Sequence, residues 1–173
     1  MKKIALQLAI FWLQGCGGYF PYALENINVP DNHLSNVIQA INEKAGCQIL
    51  KEDKGFPVKI DIEAIRKFRA SDIQYQYAGA YKGNDEIVMP ELCEYSNDRK
   101  ALIKENLCFG PEAFEIFLVH EIGHFLGLDH SDGIMDSPLD YGSYTLELAA
   151  EDLVKKLNEQ FSEMKFCHQN NSI

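Results

Sequence analysis

The apolar positions of this chain change their period several times, and each change marks a different element. Asp31 is a helix-capping residue type. After it, Leu34, Val37, Ile38, Ile41 and Ala45 recur at helical spacing on one face, and Gly46 stops the run. Strand-like pieces follow at 48–50, at 58–62 with alternating polarity, at 73–77 with Gln74 and Gln76 on the opposite face, and at 86–89. Pro111 suits the first turn of a second helix, in which Ala113, Phe114, Ile116, Phe117, Leu118, Val119, Ile122, Phe125 and Leu126 leave almost no polar face. Such a helix must be buried. Residues 144–161 predict a last, amphipathic helix with Leu146, Ala150, Leu153, Leu157 and Phe161 on its apolar side. The order predicts an α/β (α+β) fold. No repeat, low-complexity stretch or linker divides it, so residues 16–173 read as a single domain.

Composition narrows the picture further. A chain of 173 residues with 46% hydrophobic and 11% aromatic residues is of one-domain length and can bury a proper core. A net charge of −10 without a basic patch argues against nucleic acid, or an anionic lipid surface, as a partner.

The first residues read as an address rather than as fold. Lys2 and Lys3 precede an apolar run at 4–13, too short to span a bilayer but suited to the core of a signal peptide. It ends in Leu13-Gln14-Gly15-Cys16, which resembles the lipobox of bacterial lipoproteins. That resemblance implies a signal peptide over residues 1–15, lipid on Cys16, and an exported protein anchored on the periplasmic or cell-surface face of a membrane. An ordinary cleaved signal and a secreted protein are the alternative.

One string inside the apolar helix carries chemistry. Residues 120–130 read His-Glu-Ile-Gly-His-Phe-Leu-Gly-Leu-Asp-His. His120 and His124 stand one helical turn apart on the same face and can aim two imidazole nitrogens at one ion. Glu121 is one step round, beside such an ion rather than on it, where a carboxylate can take a proton from activated water. Gly127 permits a turn with φ > 0 that swings His130 round as a third ligand from outside the helix. Three imidazoles and an open fourth position describe catalytic zinc, because a structural zinc is closed by a fourth side chain. The residue types point the same way: histidines and a glutamate in a buried helix are costly unless they bind something.

This string resembles the extended zinc motif of the metzincin metallopeptidases, and Met135 in Ser131-Asp132-Gly133-Ile134-Met135 resembles their Met-turn methionine. Ser131 directly after the third histidine makes the matrixin branch the nearest. The match spans residues 120–135, and the stretch from His130 to Met135 is a few residues shorter than in a matrixin. The resemblance implies one catalytic zinc on His120, His124 and His130, Glu121 as general base, and Met135 as a floor that does not ligate. It also implies a twisted mixed sheet over the zinc helix and a protein or peptide substrate bound to an edge strand, here residues 85–89. Pro138 and Tyr141 resemble lining residues of the matrixin specificity pocket. Outside the motif the histidines are His33 and His168, too few for the second zinc of many matrixins. Calcium remains an open second cofactor, since Asp and Glu are plentiful and loop carbonyls leave no sequence trace. A monomeric zinc endopeptidase is the expectation. The rival is a non-catalytic surface lipoprotein that binds peptide or protein on the same scaffold; a lost base or ligand would mark it, and none is lost.

Apart from Cys16 the cysteines are Cys47, Cys93, Cys108 and Cys167. An even number in an exported domain predicts two disulfides, with three possible connectivities. Cys93 with Cys108 would close a short loop before the zinc helix, and Cys47 with Cys167 would tie an early strand to the tail. Four buried free thiols are the alternative.

Overall fold

A strand that the pattern does not announce lies near the centre of the sheet. In the computed structural model, which describes residues 21–65, 80–81, 86–93, 108–136 and 139–161, β1 runs Tyr22–Asn26 and pairs in parallel with both β2 (Leu50–Glu52) and β3 (Phe56–Ile60). Only Leu24 of β1 is fully buried, and Ala, Glu and Asn are poor strand formers, so its sequence carries little signal. β5 (Ile87–Met89) joins β3 in parallel, and β4 (Ala80–Tyr81) adds to β5 antiparallel, which gives a mixed sheet in the order β2-β1-β3-β5-β4. A second, two-stranded parallel sheet pairs β6 (Glu91–Leu92) with β7 (Cys108–Phe109).

The long helices pack on one face of the larger sheet. α1 (His33–Ala45) buries Leu34, Val37, Ile38 and Ile41, as its spacing predicts, and ends on Gly46 in the left-handed conformation at φ 71°. Asp31 is not its cap. It takes a positive φ of 52° in the preceding turn, and Asn32 occupies the N-cap position without a side-chain bond. Downstream, the Asn42 amide accepts from Ile49 and Leu50 N–H and donates to Leu50 O, which starts the strand at Leu50 rather than at residue 48. β3 stops at Ile60 because Asp61 caps the next helical turn, its Oδ1 accepting from Ala64 N–H at 2.9 Å.

α2 (Pro111–Phe125) is buried without interruption from Ile116 to Gly123. Its side chains merge with those of α1, the sheet and α3 (Leu146–Gln160) into one core. α3 is capped by Thr145, whose hydroxyl accepts from Leu148 N–H, and turns Ala149, Ala150, Leu153 and Leu157 inward. No described helix is long and apolar enough to cross a membrane.

The strand at 86–89 is not the edge: β5 is paired on both sides and buried at all three positions. Ile87 and Met89 face the main core while Val88 packs with Ala64 and Ile65 on the far side, which is why the strand reads as a continuous apolar run. Among the described residues the edges are β2 and β4. Cys93 and Cys108 are joined, as anticipated, with Cα atoms 5.5 Å apart, and Cys93 N–H also donates to Phe109 O. Cys47 is disulfide-bonded to a partner outside the described residues, where Cys16, Cys167, Pro138, the expected strand at 73–77 and residues 1–15 also lie.

Candidate metal centre

The end of α2 is shaped by Gly127. With φ at 96° this residue lets Leu128 N–H bond back to Gly123 O and its own N–H to His124 O, both at 3.0 Å. This crossed pair satisfies the last carbonyls of the helix and reverses the chain. The reversal places Leu128 O 2.8 Å from His124 Nδ1, and brings His130 Nε2 to 3.1 Å from His124 Nε2. His120 Nε2 is also 3.1 Å from His124 Nε2, and one ligand atom from each of the three residues lies within 4.8 Å of the others. The sequence expected these three side chains to converge, and they do.

Hydrogen bonding fixes the ring tautomers. His120 Nδ1 lies 2.7 Å from Ile134 O and His124 Nδ1 lies 2.8 Å from Leu128 O; a carbonyl only accepts, so both Nδ1 atoms must donate. In neutral rings both Nε2 atoms therefore carry lone pairs, and these face each other across 3.1 Å. Nothing in that pair can donate, so it is repulsive unless a cation lies against it. Four-coordinate zinc, with bonds of about 2.0–2.1 Å, separates its nitrogens by about 3.3–3.4 Å, so the His120–His124 and His124–His130 separations of 3.1 Å fit such an ion to within a few tenths of an ångström. Electrostatics agrees: burial, aided by the neighbouring histidines, pushes His120 down to about 4, and burial likewise lowers His124. Both rings are neutral near pH 7, as ligands must be. The cluster can bind a metal ion. Burial falls from His120 through His124 to the exposed His130, so the site opens to solvent on the His130 side.

The rest of the motif surrounds this cluster. Glu121, beside His120 on α2, is only 4% exposed. Met135 is fully buried at the end of the 3-10 turn Gly133–Met135, where its side chain lies against Gly123, between the two helical histidines. Of Tyr141, only the backbone is described, in a 3-10 turn at Tyr141–Ser143. His33 is outside the site; its Nδ1 lies 2.9 Å from Glu115 Oε1 at the α1–α2 contact.

Sequence reasoning missed the support behind the site. Asp152, Lys156 and Gln160 follow one another at four-residue spacing along α3 and follow the loop backwards. Asp152 Oδ2 accepts from Ile134 N–H at 2.7 Å, Lys156 pairs with Asp132, and Gln160 donates to Gly127 O at 3.0 Å. The spacing was visible, but a polar stripe on an amphipathic helix ordinarily reads as its solvated face.

Compared with known proteins, the chain matches no family model, no curated protein and no solved structure.

Proposed function

We propose that this protein is a zinc-dependent endopeptidase of the metzincin kind, nearest to the matrixins. The observation that carries the reading is the convergence of three imidazoles, with two Nδ1 atoms anchored to carbonyls and two Nε2 lone pairs only 3.1 Å apart, beside a buried glutamate. His120, His124 and His130 would hold the ion. Bound there, zinc supplies Lewis acidity that lowers the pKa of water and polarises a peptide carbonyl. Glu121 takes the proton from the attacking water and hands it to the leaving amine. Met135 underlies the histidines without ligating.

Replacing Glu121 with Gln tests this reading. The variant should keep one zinc per chain while cleavage of protein falls by about 10²–10⁴-fold, the usual weight of a general base. A wild-type protein that binds no transition metal would end the proposal. So would a Glu121→Gln protein as active as wild type.

The same reading has the protein exported as a monomer, acting on proteins or peptides and held to a membrane face by lipid on Cys16. The Cys93–Cys108 disulfide supports an oxidising compartment. Metabolic labelling with a fatty acid tests the anchor: label lost in Cys16→Ser supports it, and an unlabelled wild type means a freely secreted enzyme.

A further inference from the structure

His120 is oriented by a carbonyl, and that carbonyl belongs to a residue with its own tether. Ile134 accepts His120 Nδ1–H at its C=O, 2.7 Å away, and donates its N–H to Asp152 Oδ2, also at 2.7 Å. The same carboxylate oxygen accepts from the Tyr144 hydroxyl at 3.1 Å. Burial first, and then the charge of Asp152, push Tyr144 up to about 12, so the phenol stays a donor at every working pH. Gly133 completes the fit: it sits at φ 64°, and a Cβ there would overlap the Asp152 carboxylate.

We propose that Asp152 is a positioning residue for the metal centre, which holds Ile134 from α3 so that its carbonyl fixes the tautomer and direction of His120. This inference rests on the reading of the three histidines as a metal site. A turn of three residues has few bonds of its own. Around it, Ser131 N–H bonds to Met135 O and Asp136 N–H to Gly133 O, both at 3.0 Å, while Ile134 N–H bonds to a partner outside the loop. That partner is charged and half-buried, and such hydrogen bonds to a carboxylate are among the stronger ones. Without it the Ile134 carbonyl loses its fixed direction. The His120 ring can then turn, or move its proton to Nε2, the nitrogen a metal needs free. Partners beyond the ligands commonly change metal affinity by about 10–100-fold.

The experiment uses the full mature chain as wild type, Asp152→Asn and Asp152→Ala. Asn keeps the shape and one acceptor, and so guards against the Ala variant failing to fold. Imidazole 15N NMR of metal-free protein reads the His120 tautomer directly. The expected result is pure Nδ1–H in wild type and a mixture with Nε2–H in the variants. Zinc affinity, measured by competition with a chelator, should weaken by about tenfold in Asp152→Asn and toward a hundredfold in Asp152→Ala. Melting of the metal-free proteins, run alongside, reports any general loss of structure. A variant that melts lower but keeps the wild-type tautomer, with affinity within about twofold, would show that Asp152 serves only stability and would overturn the proposal. Should wild type bind no zinc, the peptidase reading fails, while the tautomer measurement still decides the role of Asp152.

Discussion

Gly123 lies between the two helical histidines, where helix propensity and packing make opposite demands, so Gly123→Ala is a sharp test of how the turn seats on α2. An ideal Cβ at this position would lie 2.5 Å from Met135 Sδ, 3.0 Å from Leu153 Cδ1 and 3.1 Å from Met135 Cε. Alanine in a helix interior is favoured over glycine by about 1 kcal/mol. Against this, overpacking a filled core costs about 1–3 kcal/mol. A methionine can often swing away, but Met135 and Leu153 are both fully buried, with no solvent side to move into, so the cost belongs near the top of that range. The net expectation is a loss of about 1–2 kcal/mol, or roughly 2–8 °C in Tm for a domain of this size, read by calorimetry on metal-free protein. A double-mutant cycle isolates the contact. Met135→Ala alone leaves a cavity costing about 2–5 kcal/mol, but the added methyl at 123 then has space, so the two losses should sum to at least about 1 kcal/mol less than additive. A Gly123→Ala protein as stable as wild type, or additive losses in the cycle, would refute the seating of Met135 on the helix at this point.

Acid should destabilise the metal-free protein in a defined window. His120 is held at about 4 against its ordinary 6.5, so the unfolded chain takes up the proton first; the stability linked to this ring is full above pH 6.5 and is lost as pH falls toward 4, about 3 kcal/mol in all. Denaturant titrations at fixed pH should show this decline in wild type and a weaker one in His120→Gln, and a flat wild-type profile between pH 7 and 5 would contradict it. The Cys93–Cys108 bond closes a sequence separation of 15 residues, so replacing both cysteines with Ala should cost about 3 kcal/mol by loop entropy. Urea midpoints measure that loss, and an unchanged midpoint would exclude a stabilising role for the bond.

What was legible in the sequence was local and periodic. α1, α2 and α3 each repeat an apolar signal over several turns, and the metal motif lies within one helix and its exit turn, where His120, His124 and Gly127 are set by spacing alone. β1 was missed because one buried leucine among Tyr, Ala, Glu and Asn makes no period. The edge was misjudged for a related reason. An apolar run such as Ile87-Val88-Met89 says that both faces are covered, and so points to an interior strand; among the described residues the neighbour on its outer side, β4, is only two residues long. Asp31 shows the limit of propensity: a residue suited to capping went to a left-handed turn one position earlier.

The supports of the site were illegible because they are backbone carbonyls, which carry no side-chain signal, or contacts between distant residues. Leu128 O and Ile134 O, which orient two of the rings, belong to residues whose side chains have no polar chemistry, and Asp152 acts on a residue 18 positions away. These contacts also tie the chemistry to the fold. The loop that carries His130 is bonded to α3 at Gly127, Asp132 and Ile134, so an ion on the three histidines and the docking of α3 favour the same loop conformation. By linkage, each must then strengthen the other by the same free energy. A substitution on the Asp152, Lys156 and Gln160 stripe, none of which is a ligand, therefore weakens metal binding in proportion to how much it loosens the loop. Asp152 heads that order because its tether reaches His120 through a single residue.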